Sequence, residues 1–180
     1  MEIEYRTEPE FIEYLDGEAH PKVSPRVRHG TTQARIVSLF EQTAAGRGII
    51  AVEGDAAIGK LDGTQTKLIP DVSFFYPDRF AGLSYDDQDE PPFSPDIAIE
   101  VRSRGDAPAY VRRKIARYLE TGARLVLDVD FRARTIDAYT TAGHTHFTQD
   151  ERFANEPFPW FTFTVRDVFS VLDGLPDWVE

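Results

Sequence analysis

The chain has 180 residues, with 31 acidic against 20 basic side chains and a formal net charge of −11. That length suits a single domain spanning residues 1–180 and able to bury about 70% of its extended-chain surface, while the acidic balance argues against a simple electrostatic nucleic-acid binder. The absence of cysteine excludes disulfides and thiolate metal sites, so a metal would be held by oxygen or by the four histidines, which points to hard cations such as magnesium.

In chain order, Phe11 to Leu15 and Glu18 to His20 flank Asp16-Gly17, a pair that supplies the positive φ angles of a two-residue turn, so an N-terminal β-hairpin is expected. A helix follows from Pro25, with Val27, Ala34, Val37, Leu39 and Phe40 as its apolar stripe, and stops near Ala45-Gly46. Gly48 to Glu53 and the stretch around Thr66 to Phe75 read as strands, separated by turn signals at Gly54, Gly59 and Gly63. Residues 76–95 are rich in proline and acid and are expected to form a long loop, serving as a lid, a dimer contact or a disordered excursion.

The next strand carries the chemistry. In Pro95-Asp96-Ile97-Ala98-Ile99-Glu100-Val101-Arg102, period-two alternation sets Ile97, Ile99 and Val101 against Asp96, Ala98, Glu100 and Arg102, and the second face is expected to be wet. At about 3.3 Å per residue, Asp96 and Glu100 stand about 13 Å apart, too far to chelate one ion. The carboxylate that could join Glu100 must come from a neighbouring strand, and Asp71 in Pro70-Asp71-Val72 is the candidate. Downstream, Pro108 to Glu120 has helical spacing with a stop at Thr121-Gly122. Arg124 to Asp130 and Arg134 to Tyr139 form a hairpin, Phe158 to Phe163 an aromatic strand, and Val165 to Leu172 a closing helix. The order implies an α/β or α+β mixed sheet.

These motifs resemble the Uma-two family of the restriction-endonuclease-like, or PD-(D/E)XK, superfamily. The resemblance rests on Glu13-Tyr14-Leu15-Asp16-Gly17-Glu18, on Ser24-Pro25 with His29, on Pro70-Asp71-Val72, on Pro95 to Ser103, and on Lys114, Tyr118 and Gly122, in the family's order. It departs at Arg104-Gly105-Asp106 and at Leu127, neither of which is a candidate metal ligand. The resemblance implies a restriction-endonuclease-like mixed sheet flanked by helices, and a metal-dependent endonuclease that hydrolyses DNA. Asp71 and Glu100 would then hold Mg2+ or Mn2+, with Lys114 as the catalytic cation.

Arg102 stays protonated, so it is a candidate for phosphate contact or for pairing with Glu100 or Asp96, not for a base. Asp96 is an auxiliary candidate, and the resemblance implies two more, Glu13 as a third acid or otherwise an ordinary hairpin carboxylate and His29 as a capping or supporting residue. Arg104, Arg112, Arg113 and Arg117 form a basic strip that could lie along the phosphate backbone, with a solvated helix face as the plain alternative. His144 and His146 read as hairpin residues without a third ligand. The competing functions are a non-catalytic nucleic-acid-binding or protein-interaction module on the same fold and a structural homodimer or larger homo-oligomer contacting through the aromatic strand. With no apolar run near the roughly 20 residues of a membrane span and no signal-peptide pattern in Met1 to Arg6, a cytoplasmic location away from membranes is expected.

Overall fold

The computed structural model describes residues 11–22, 25–61, 63–103 and 105–175, with backbone only at 58, 60 and 61; Ser24 and Arg104 lie outside them. The hairpin pairs β1 (Ile12–Leu15) with β2 (Glu18–Pro21). Its turn residues Asp16 and Gly17 both take positive φ, 55° and 79°, as a primed two-residue turn demands. Helix α1 (Val27–Ala44) ends on Ala45 in the left-handed region. After it come β3 (Ile49–Val52), β4 (Ala56–Leu61), β5 (Thr64–Leu68) and β6 (Val72–Phe75).

The sheet system has two parts. A small antiparallel sheet runs in the order β2-β1-β5-β4. The large one adds β7 (Ile97–Val101), β8 (Leu125–Asp130), β9 (Thr135–Thr140) and β10 (Gly143–Phe147) in the order β10-β9-β8-β7-β6-β3. Of its strand pairs, β7 and β8 run parallel, a geometry that needs a crossover. Between the helices α2 (Tyr85–Asp89) and α4 (Val165–Phe169), that crossover is α3 (Pro108–Glu120). No helix among the described residues is long and apolar enough to cross a membrane.

Alternation along β7 divides the core. Ile97, Ile99 and Val101 join Leu125, Leu127 and Val129 under α1 and α4, in a cluster with Phe40, Phe74 and Phe161. Ala98 and Val126 face the other way, against Ile115 and Tyr118 of α3 and Leu15 and Leu68 of the small sheet. The face expected to be wet is therefore covered: α3 and the hairpin module pack over it, and Glu100 is only partly exposed there.

Three further expectations need correction. Residues 76–95 are not a featureless loop, since a 3-10 turn spans Pro77–Phe80 and α2 is capped by Ser84, whose hydroxyl accepts from the Asp87 N–H. The stretch from Thr66 to Phe75 is two strands broken at Ile69-Pro70-Asp71, and β4 goes unseen in the sequence because a register shift between Ala56 and Gly59 spoils its alternation. Phe158 to Phe163 is not a strand: only Phe163 pairs, within a two-residue ladder of β11 (Arg152–Phe153) and β12 (Phe163–Thr164). Pro157 and Pro159 cannot donate to a ladder, and the rings instead plug the core, Phe161 stacking on Phe40 at 4.0 Å between centroids.

Candidate active site

Where the two sheets meet α3, a cavity of about 120 Å³ is lined by Glu13, Lys22, His29, Glu53, Asp71, Glu100, Arg102 and Lys114 among others. Antiparallel pairing places Val72 opposite Ile99, so Asp71 at the head of β6 comes beside Glu100 on β7. The contact is direct at the backbone, where the Val101 N–H donates to Asp71 Oδ2 at 2.6 Å. Helix α3 then delivers Lys114, whose Nζ lies 2.7 Å from Glu13 Oε1 and 2.8 Å from Glu100 Oε1. One ammonium thus joins an acid of each sheet.

Hydroxyls and amides complete the acids. Tyr118 donates to Glu100 Oε1 at 2.5 Å, and Glu13 accepts from the Ile69 N–H at 2.8 Å and from the Tyr110 hydroxyl at 2.9 Å. On the far side, His29 Nε2 lies 3.2 Å from Asp71 Oδ2, and Lys22 Nζ donates to Asp71 Oδ1 at 2.7 Å and to the Ile69 carbonyl at 2.6 Å. One helical turn on from His29, Gln33 donates to Glu53 Oε1 and to the Asp71 carbonyl. Glu53 holds its place with φ of 51°, a left-handed conformation that costs a non-glycine residue on the order of 1 kcal/mol or more.

The two neighbouring acids are pushed in opposite directions. Burial raises the Glu100 carboxyl, to about 7, more than the Lys114 charge lowers it. At Asp71 burial acts the same way but is overcome by the His29 hydrogen bond and the Lys22 charge, which hold it well below the usual carboxylate range. For Lys114, burial would release the proton, yet the charges of Glu100 and Glu13 keep the ammonium firmly protonated.

Other candidates fall elsewhere. Asp96 closes the opposite end of β7, accepting from the Tyr76 N–H at 2.9 Å with Arg79 at 3.5 Å. Arg102 lines the cavity but pairs with neither Glu100 nor Asp96. Its guanidinium grips Asp128 through two bonds of 2.8 and 2.6 Å, because the parallel β7–β8 register puts Asp128 beside Glu100 on the same face. Arg113 and Arg117 are not a bare strip for phosphates either: both hold Asp16 in the hairpin turn, and Arg113 also reaches Glu18 at 3.3 Å. Arg112 is exposed on the same helix. His144 and His146 share Asp137 Oδ1, each at 2.8 Å, at the edge of the large sheet.

Lys22, Gln33 and Glu53 escaped the sequence reading. Lys22 sits in no motif, and its partner Asp71 is 49 residues away. The positive-φ turn at Glu53 leaves no composition signal, although a polar Gln33 four residues after His29 on the helix's buried side was readable as a site-facing residue.

Among the described residues no group of three or more histidine, cysteine, aspartate or glutamate side chains is arranged to hold an ion by itself. The donor set suits a hard cation that takes two carboxylates and completes its shell with carbonyl oxygen and water. At Glu100, Tyr118 and Lys114 both contact Oε1.

This mixed sheet with helices on its faces is the restriction-endonuclease-like fold. Residues 1–166 match the model of the Uma2 family, described as putative restriction endonuclease, and the chain belongs to that family. The chain is also similar to the crystal structure of a putative nuclease belonging to DUF820 from Anabaena variabilis ATCC 29413, with a TM-score of 0.75 and 21% identity over 89% of this chain and 90% of that one. No curated protein matches the chain.

Proposed function

We propose that the chain is a divalent-cation-dependent endonuclease that hydrolyses DNA phosphodiester bonds, with Asp71 and Glu100 as the residues that would hold Mg2+ or Mn2+. The observation that carries this reading is the convergence, on one cavity, of two acids from adjacent strands and a lysine paired with one of them. When bound, the ion would supply Lewis-acid activation of water and neutralise phosphate charge. Lys114, tied to Glu100 and Glu13, steadies the negative charge that grows on the phosphoryl oxygens. Tyr118 and Tyr110 fix the two acids that flank that ammonium, so it presents one orientation.

The test is calorimetric titration with Mn2+ beside a plasmid-nicking assay. Asp71→Ala and Glu100→Ala should each abolish cleavage and weaken Mn2+ binding at least tenfold while remaining folded. Full cleavage by either variant would sink the reading. A non-catalytic interaction module is favoured by one observation, the engagement of Arg113 and Arg117 by Asp16 in a chain of net charge −11. It requires that the parent cleave neither DNA nor RNA with either ion.

A further inference from the structure

Lys22 follows directly on β2, with its backbone N–H bonded to the Phe11 carbonyl at 2.9 Å. Its side chain crosses to the cavity and is nearly buried, 14% exposed, against an Asp71 side chain that is 2% exposed. There the ammonium is held by one carboxylate oxygen and one backbone carbonyl, Asp71 Oδ1 and Ile69 O. A carboxylate and a carbonyl set on one point are the donors a hard divalent cation takes. The remaining Asp71 oxygen is already engaged, since Oδ2 accepts from the Val101 N–H and lies 3.2 Å from His29 Nε2. An ion reaching Asp71 from the cavity therefore meets Oδ1, the oxygen that Lys22 already holds.

The two cavity lysines differ in this respect. Lys114 bridges Glu13 and Glu100, so removing it would leave two acids facing each other. Lys22 serves one carboxylate, at the end of a four-carbon stem, and the cavity it lines gives the ammonium somewhere to go.

Resting on the nuclease reading above, we propose that Lys22 is an internal competing cation: its ammonium occupies the divalent ion's place on Asp71 and sets the ion concentration at which the site loads. The metal-free site is thereby kept neutralised, and loading is an exchange of one cation for another. Like charges at this range cannot both sit on Oδ1 without a large cost, so the side chain must withdraw as the ion arrives.

The experiment compares the full-length parent with Lys22→Met and Lys22→Arg by Mn2+ calorimetry and by melting temperature with and without Mn2+. Lys22→Met removes the charge but keeps most of the stem. It should bind Mn2+ at least tenfold more tightly than the parent, and its melting temperature should fall without Mn2+ and recover on addition by more than the parent gains. Lys22→Arg, which keeps the charge, should bind no more tightly than the parent. Unchanged or weaker Mn2+ affinity in Lys22→Met overturns the role of Lys22 and leaves the nuclease reading standing. Absence of Mn2+ binding in all three forms overturns both. Should Lys22→Met not fold, the lysine 15Nζ resonance of Lys22 in the parent decides: a shift on titrating Mg2+ supports the exchange, and a resonance that stays put while Mg2+ binds overturns it.

Discussion

Glu100 and Lys114 form the buried charge pair on which the site turns, and each constrains the other. Replacing Lys114 by methionine leaves Glu13 and Glu100, both largely buried, without their shared cation. Breaking a buried pair from one side costs about 3–5 kcal/mol, so Lys114→Met should show that loss in urea denaturation as well as losing activity. Glu100 also makes a pH signature. Its folded carboxyl lies near 7 against an ordinary 4.5, so across that window the folded metal-free protein holds a proton that the unfolded chain has released. Stability from this group is therefore present at the acid end and lost as pH rises through about 7. With chelator present, the melting temperature contributed by this group should be higher near pH 5.5 than near pH 8, and Glu100→Gln should flatten the difference. An unchanged profile in Glu100→Gln would place the titration elsewhere. At this scale Asp71, Glu100, Lys114 and Glu13, each singled out by motif order, come together on one cavity. Lys22 and Glu53 stayed hidden because their roles arise only from contacts across the two sheets.

Among the elements, α3 does two jobs with two faces. Ile115 and Tyr118 cover β7 and β8, while Arg113 and Arg117 seize the hairpin turn at Asp16. The arginines are thus a clasp between helix and hairpin. Arg113→Gln with Arg117→Gln should lower the melting temperature by a few degrees. The slope of log DNA affinity against log salt should move by less than about one unit, where two lost phosphate contacts would shift it by about 1.8. On the opposite face, Phe40 of α1 is fully buried between Phe161 and Phe74, and Phe40→Ala should cost about 3–5 kcal/mol in chemical denaturation with the cavity acids undisturbed. Helices α1 and α3 and the Asp16-Gly17 hairpin were legible because caps, prolines and turn pairs act locally. The aromatic segment before β12 was misread for a physical reason, since alternating rings look the same whether they line a strand or fill a hole. The covered face of β7 was likewise beyond reach, because burial by α3 is a tertiary fact.

Taken whole, the molecule builds its cavity from chain segments that are far apart. Glu13 is 56 residues from Ile69, whose amide it holds, and 97 from the Tyr110 hydroxyl it accepts from. Long-range closures of this kind form late, after local helices and hairpins. During synthesis, at roughly 5–20 residues per second, the hairpin is made first and must wait for α3 to emerge before Lys114 can join the two acids. An unfinished polypeptide therefore carries Glu13 and Glu100 without the ammonium that joins them in the folded chain. The order of synthesis alone therefore dictates that the cavity closes last, when α3 brings Lys114 to acids that left the ribosome before it.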